Sequence, residues 1–154
     1  MQKNTPFLWF DNQAEEAANF YVSIFENSRV LNVDRMKDAG PDKQTVMVVA
    51  FELEGQKFTA LNGGPRFKFD EAISFVVNCE SQEEVDYFWE KLIAGGGQES
   101  MCGWLKDKYG LSWQIIPTRA MELLKHPEKS QSVMQALLQM RKLDIATLER
   151  AAQE

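Results

Sequence analysis

Phe7 to Ile24 reads FLWFDNQAEEAANFYVSI, and Phe75 to Leu92 reads FVVNCESQEEVDYFWEKL. These two stretches decide the fold. In the first, Thr5 to Phe10 is apolar and aromatic and predicts a strand, and Asp11 and Asn12 supply turn and capping chemistry. Ala14, Ala17, Tyr21 and Ile24 then recur at helical spacing, with Glu15 and Glu16 in the first turn facing the positive end of the helix dipole. In the second, Ile73 to Asn78 predicts a strand. Ser81 followed three residues later by Glu84 is a capping-box pattern, and Val85, Phe88, Trp89 and Leu92 form an apolar stripe. A shift of 68 residues places Phe7 on Phe75, Glu15-Glu16 on Glu83-Glu84, Phe20 on Phe88 and Ile24 on Leu92.

Each opening leads into strands. After Asn27-Ser28, residues 29–36 (RVLNVDRM) predict a strand, with a polar Gly-Pro loop following through Lys43. Thr45 to Leu53 alternates most clearly, with Thr45, Met47, Val49, Phe51 and Leu53 on one face. Glu54-Gly55 turns the chain into Lys57–Asn62, and Gly63-Gly64-Pro65 breaks it. In the second half Gly95-Gly96-Gly97 stops the helix. Strands are expected at Glu99–Leu105 and Leu111–Pro117, joined by a turn over Lys106–Gly110. Here the spacing tightens to 55, pairing Gly55 with Gly110, Phe58 with Trp113 and Thr59 with Gln114. A β-α-β-β-β module therefore occurs twice, as module one (5–62) and module two (72–117). Residues 119–154 read as a helical tail packed on the sheet, with a break at His126-Pro127 and an N-cap at Asp144. The expectation is one α+β domain over residues 1–154.

Composition narrows the function classes. The chain has 154 residues, and 17 Lys+Arg against 23 Asp+Glu give a net charge of −6, which argues against general phosphate attraction and so against a nucleic-acid partner. No apolar run reaches the roughly 20 residues of a membrane helix, and MQKNTPFLWFDNQ lacks the pattern of a secretory signal. Cys79 and Cys102, in no metal or disulfide spacing, suit a reducing cytoplasm. A single histidine, His126, excludes a multi-histidine metal site within one subunit.

The duplicated module resembles the vicinal oxygen chelate superfamily, which includes glyoxalases, bleomycin-resistance proteins and extradiol dioxygenases. Within it the chain looks like the PhnB-like family, often labelled 3-demethylubiquinone-9 3-methyltransferase. The residues carrying the likeness are PFLWFDNQAEEA at 6–17 with Phe20-Tyr21, NGGPxFKF at 62–69 and CGWLKDKYGLSWQIIP at 102–117. The likeness extends into the tail around Val133–Met140 and Leu143–Leu148. It implies two tandem βαβββ modules forming a cupped mixed sheet, the glyoxalase/bleomycin-resistance fold, with a C-terminal helical tail.

Metal-dependent members of that superfamily take ligands from the first and last strand of each module. Here those positions fall near Pro6, Thr59, Ser74 and Gln114, none of them a histidine or carboxylate, so no metal and no cofactor is expected. Alternation sets Leu8 and Phe10, Leu61, Val76, Ser112 and Ile116 on the same faces as those positions. The candidate ligand-binding residues are Gln114, Ser74, Thr59, Leu8, Phe10, Asn62 and Trp104. Gln114 either orients a ligand through its amide or satisfies backbone groups. Trp104 either lines a pocket or sits in a dimer seam. Trp113 reads as core, Cys102 as a buried inert thiol, and Asp107 as a turn-fixing residue. Met121, Met134 and Met140 read as packing, and His126 as a helix-end residue.

The leading expectation is a metal-independent protein that binds a partly apolar small molecule in the cup, as a cytoplasmic homodimer without membrane contact. The alternatives are an enzyme and a protein-interaction module docking through its tail. The family label suggests methyl transfer, but no glycine-rich strand-to-helix loop of the kind nucleotide cofactors use is visible. A glyoxalase- or dioxygenase-like lyase would need the missing ligands. No catalytic residue is assigned.

Overall fold

Tandem β-α-β-β-β modules are present, one in each of two units, Met1–Phe69 and Asp70–Glu154. The computed structural model describes residues 2–36 and 45–154, so the expected loop through Lys43 lies outside the described residues.

In the first unit, β1 (Phe7–Phe10), α1 (Ala14–Ile24), β2 (Arg29–Met36), β3 (Thr45–Leu53) and β4 (Gln56–Asn62) follow in order. The sheet runs β1-β4-β3-β2, with β1 parallel to β4 and the other pairs antiparallel. The helix forms on the predicted stripe. Ala14, Ala17, Ala18, Tyr21 and Ile24 are all buried, and Tyr21 stacks on Phe51, which stacks on Phe58. Val49, Phe51 and Leu53 are buried as the alternation of β3 requires. The cap of α1 is not local. Gln13 makes no side-chain cap bond; instead Asn62 Oδ1, from the end of β4, accepts the Ala14 N–H at 2.8 Å.

The second unit repeats the order with β5 (Ser74–Cys79), α2 (Gln82–Ile93), β6 (Gln98–Glu99), β7 (Trp104–Lys106) and β8 (Ser112–Pro117), in a sheet ordered β5-β8-β7-β6. The Ser81 half of the capping box is formed, and the Glu84 half reaches one residue further back. Ser81 Oγ accepts from Glu84 N at 3.2 Å, and the Glu84 carboxylate accepts from Glu80 N at 2.7 Å. Val85, Trp89 and Leu92 are buried beneath α2. The strand expected at Glu99–Leu105 is instead two short ones, β6 and β7. Between them Cys102 (φ 62°) and Gly103 (φ 85°) take the left-handed conformation, and Trp104 N bonds Met101 O. Extended pairing cannot run through such a turn. Asp107 fixes the β7–β8 turn as expected: Oδ1 accepts from the Tyr109 and Leu111 N–H groups, and Oδ2 from Trp113 Nε1 at 2.9 Å.

The tail forms α3 (Thr118–Leu124), α4 (Ser130–Leu137) and α5 (Ile145–Ala151), with Asp144 capping α5 by accepting Thr147 N. Its core is Ala120, Leu123, Val133, Leu137, Leu143, Leu148 and Ala152, against which Cys102 and Ile116 pack. Cys102 is thus half-buried, where full burial was expected. Met121 and Met134 are exposed, contrary to their reading as packing residues, and only Met140 of the three touches the cluster. Docking of the tail is polar as well as apolar. Cys102 N and Gly103 N donate to Met140 O and Arg141 O. Gln82 Nε2 donates to Leu143 O while its Oε1 accepts from Ile145 N, and Lys142 pairs with Asp86 at 2.8 Å. At Gly103 a Cβ would come within 3.1–3.2 Å of Ile115 O, Ile116 and Leu143, so glycine permits both the left-handed turn and this close approach.

Candidate functional site

In the second unit the sheet face turned away from α2 carries its polar groups in rows set by the strand register. Ser74 stands beside Ser112, Ser112 beside Lys106, and Lys106 beside Gln98. One step along, Val76 stands beside Gln114, and Gln114 beside Trp104. Side chains on a strand alternate between faces, so these residues share one surface, while Trp113 and Ile115 lie buried on the other. Gln114 Nε2 donates to Ser74 Oγ at 2.9 Å, a bond between two side chains that neither of the expected roles for Gln114 included. Trp104 is half-buried and Val76 exposed. Ile116, next on the same face, packs against the tail cluster.

Glu71, Gln98, Glu99, Ser100, Trp104, Leu105, Lys106 and Ser112 line a cavity of ≈ 220 Å³ on this unit. The Lys106 ammonium pairs with Glu71, and Glu99 accepts from Trp89 Nε1 at 2.6 Å. Sequence reasoning did not single out Glu71, Gln98 or Lys106. Alternation from Trp104 could have found Lys106, whereas Glu71 precedes β5 and carries no periodic signal.

The first unit places its predicted residues on two different faces. Thr59 and Leu61 are half-buried on the face away from α1. Leu8 and Phe10 lie on the opposite face from that expected. They are buried, Leu8 beside Ala60 and Phe10 beside Asn62, on the side where Phe58 meets Phe51 and Asn62 caps α1. The cause is one extra residue. Phe10 and Ala14 are separated by Asp11–Gln13, whereas Cys79 and Gln82 are separated only by Glu80-Ser81. The helices therefore repeat at 68 and the opening strands at 69, and a one-residue slip exchanges the two faces of a strand. Phe7, not Pro6, stands beside Thr59, and the true counterpart of Ser74 is Thr5.

Asn62 is likewise on the α1 side, and its Nδ2 donates to Val46 O at 3.1 Å. The NGGPxFKF stretch folds back over β1. Trp9 Nε1 donates to Gly64 O at 3.0 Å, Phe67 meets Trp9 edge-on and Phe69 meets Phe10 edge-on. A Cβ on Gly63 would lie 2.4 Å from the Trp9 ring, which is why only glycine fits there.

The positions where superfamily relatives hold a metal thus present Ser74 and Gln114 in one unit and Thr59 in the other. A hydroxyl–amide pair offers neutral oxygens, with the Gln114 amide nitrogen turned toward Ser74. Such neutral oxygens hold a divalent cation more weakly than the imidazole, thiolate or carboxylate ligands of a dedicated metal site. Among the described residues, no three His, Cys, Asp or Glu side chains gather where they could share an ion. Cys79 is buried, and burial first, then the nearby Glu84 charge, pushes its thiol up to about 12. It is therefore no nucleophile at neutral pH.

The model of one protein family, 3-demethylubiquinone-9 3-methyltransferase, matches residues 2–116. The chain belongs to that family. Its solved relatives include the PhnB protein from Bacillus cereus, 39% identical over 75% of this chain and 99% of that one, with a TM-score of 0.68. The protein PA1353 from Pseudomonas aeruginosa is 17% identical over 76% and 98%, with a TM-score of 0.62, and shares the fold. A glyoxalase/bleomycin resistance protein from Albidiferax ferrireducens is 14% identical over 73% and 95%, with a TM-score of 0.48. No curated protein sequence matches. The family match stops at residue 116, short of the tail segments where likeness was expected, and the relatives are nearly fully covered while a quarter of this chain is not. No helix among the described residues is long and apolar enough to cross a membrane.

Proposed function

We propose that this family member binds a partly apolar small molecule on the helix-free face of its sheets, without a metal ion. The observation that carries the reading is the Gln114–Ser74 pair. A neutral amide and hydroxyl, bonded to each other at 2.9 Å, stand where the superfamily resemblance puts histidine or carboxylate ligands, flanked by Val76 and the half-buried Trp104. Apolar surface with a few oriented polar groups is the usual make-up of a small-molecule site. Thr59 and Leu61 present a similar mixture on the first unit. Leu8, Phe10 and Asn62 leave the proposed ligand set, because their surroundings already account for them as core and cap.

Methyl transfer, the reaction in the family's description, has less support. Neither strand-to-helix connection, Asp11–Gln13 or Glu80-Ser81, contains the glycines that let a backbone approach a nucleotide-type cofactor. We further propose a cytoplasmic homodimer. Two free cysteines suit a reducing compartment, and Phe7 and Val76, exposed on their strands, suit coverage by another chain. Native mass spectrometry reads the dimer directly, and a monomer at micromolar concentration contradicts it.

A thermal-shift screen of small molecules on wild type and Gln114→Ala tests the binding reading. Compounds that stabilise the wild type should bind roughly three- to tenfold more weakly to the variant. If every ligand-induced shift is unchanged in Gln114→Ala, the site is elsewhere.

A further inference from the structure

One buried polar atom stands out. Ser112 is fully buried and lines the cavity in the second unit, yet its hydroxyl has no hydrogen-bond partner among the described residues. Buried hydroxyls are nearly always satisfied, and one that is not calls for an explanation. Its surroundings give one. Lys106 stands directly across from Ser112 on β7 and pairs with Glu71, and Trp104 is two residues along the same face. Gln98 and Ser100 form an exposed rim.

We propose that this cavity takes a neutral planar amide, the size of an aromatic carboxamide, with its ring on Trp104 and its amide held by Ser112, Lys106 and Glu71. The proposal rests on the binding reading above and adds the chemical class of the ligand. Size is the first argument. A volume of ≈ 220 Å³ is below the roughly 300–1,000 Å³ of sites for drug-sized molecules, so the occupant is a single small ring with one substituent. The half-buried indole supplies a flat apolar wall.

Charge is the second argument. On the Ser112 face the lining holds one carboxylate, Glu71, and one ammonium, Lys106, paired with each other, while the Glu99 carboxylate is held on the α2 side by Trp89 Nε1. An anionic ligand that takes Lys106 leaves the Glu71 carboxylate unpaired beside it, and a cationic one that takes Glu71 is repelled by Lys106 and leaves the Ser112 O–H without an acceptor. An amide answers both sides. Its carbonyl accepts from Ser112 and the Lys106 ammonium, and its N–H donates to the Glu71 carboxylate. Reaching Ser112 requires parting the Lys106–Glu71 pair, whose side chains are 36% and 60% exposed. Ion pairs that open to water hold together weakly, so the ligand displaces little.

The test is a titration followed by nitrogen–proton correlation spectra, with benzamide, benzoate and benzylamine as probes, on wild type and Ser112→Ala. Benzamide should give saturable low-millimolar shifts centred on Ser112, Lys106 and the Trp104 indole N–H, with both charged probes weaker. Ser112→Ala should be at least as thermally stable as wild type, since it removes an unsatisfied hydroxyl, yet bind benzamide about three- to tenfold more weakly. Equal benzamide affinity in the two proteins, or preference for a charged probe, overturns the proposal. Shifts confined to Gln114, Ser74 or Thr59 also overturn it but leave the broader binding reading standing. No saturable shift from any probe overturns the ligand class, and the thermal-shift screen then decides the broader reading alone. Should Ser112→Ala prove unstable, Trp104→Leu supplies the second arm and must weaken benzamide binding.

Discussion

Replacing Asn62 with alanine separates a structural cap from a ligand-binding amide. In the structure Asn62 Oδ1 accepts the Ala14 N–H at 2.8 Å and Nδ2 donates to Val46 O at 3.1 Å. Ala14 is fully buried, so its N–H has no recourse to water once the acceptor is gone. Loss of an N-cap acceptor costs about 1 kcal/mol, within a range of roughly 0.5–2. The second hydrogen bond adds roughly 0.5–1.5 kcal/mol. Asn62→Ala should therefore lose about 2 kcal/mol, or about 4–8 °C in Tm for a chain of this length. Asn62→Asp keeps an acceptor for Ala14 N–H and adds a favourable charge at the helix N-terminus, but forfeits the bond to Val46 O. It should lose about 1 kcal/mol. Urea titrations monitored by circular dichroism read both losses, with unchanged m-values showing that only stability has moved. If Asn62→Ala stays within about 0.5 kcal/mol of wild type while ligand binding falls, the cap assignment is refuted and the side chain belongs to the site.

Further expectations follow from other contacts. Gln82→Ala breaks both tail-docking bonds, to Leu143 O and from Ile145 N, and should raise hydrogen exchange at the Ile145 amide while leaving the α1 amides unchanged. Gly63→Ala drives a Cβ to 2.4 Å from the Trp9 ring and should cost about 1–3 kcal/mol by overpacking, visible as a lower urea midpoint. The Asp86 carboxyl is held below its ordinary value by its bonds to Lys142 and then Gln82. Its share of tail docking should be present above the unfolded pKa of about 3.9 and fade as pH falls through the depressed folded value. Tail exchange rates measured across that acidic window in Lys142→Ala should lose this extra pH dependence.

Most of the architecture was legible because each element carries its own period. The α1 and α2 stripes, the alternation of β3, the Ser81 cap and the Asp144 cap are all formed by residues close in sequence. What escaped depends on residues far apart or on single insertions. The Asn62 cap spans 48 residues, a distance over which no sequence spacing signals a hydrogen bond. The extra residue in Asp11–Gln13 left both helix anchors aligned while turning Leu8 and Phe10 into the core. The left-handed Cys102 divided one expected strand, in a turn that the distant tail helps to hold through Met140 O and Arg141 O. In the site, Ser74 and Gln114 followed from the internal repeat, whereas Trp104, left open between a pocket and a dimer seam, is placed beside Gln114 by the strand register. The Ser112 hydroxyl drew no attention of its own, since a missing partner is a property of packing and not of sequence.

The central claim is binding without a metal ion, and the direct measurement is ligand affinity before and after exhaustive chelation. A compound that stabilises the protein should bind chelated and divalent-cation-supplemented samples with the same dissociation constant, and should shift the Ser74 and Gln114 resonances in both. Affinity that disappears on chelation and returns with a divalent cation would contradict the account.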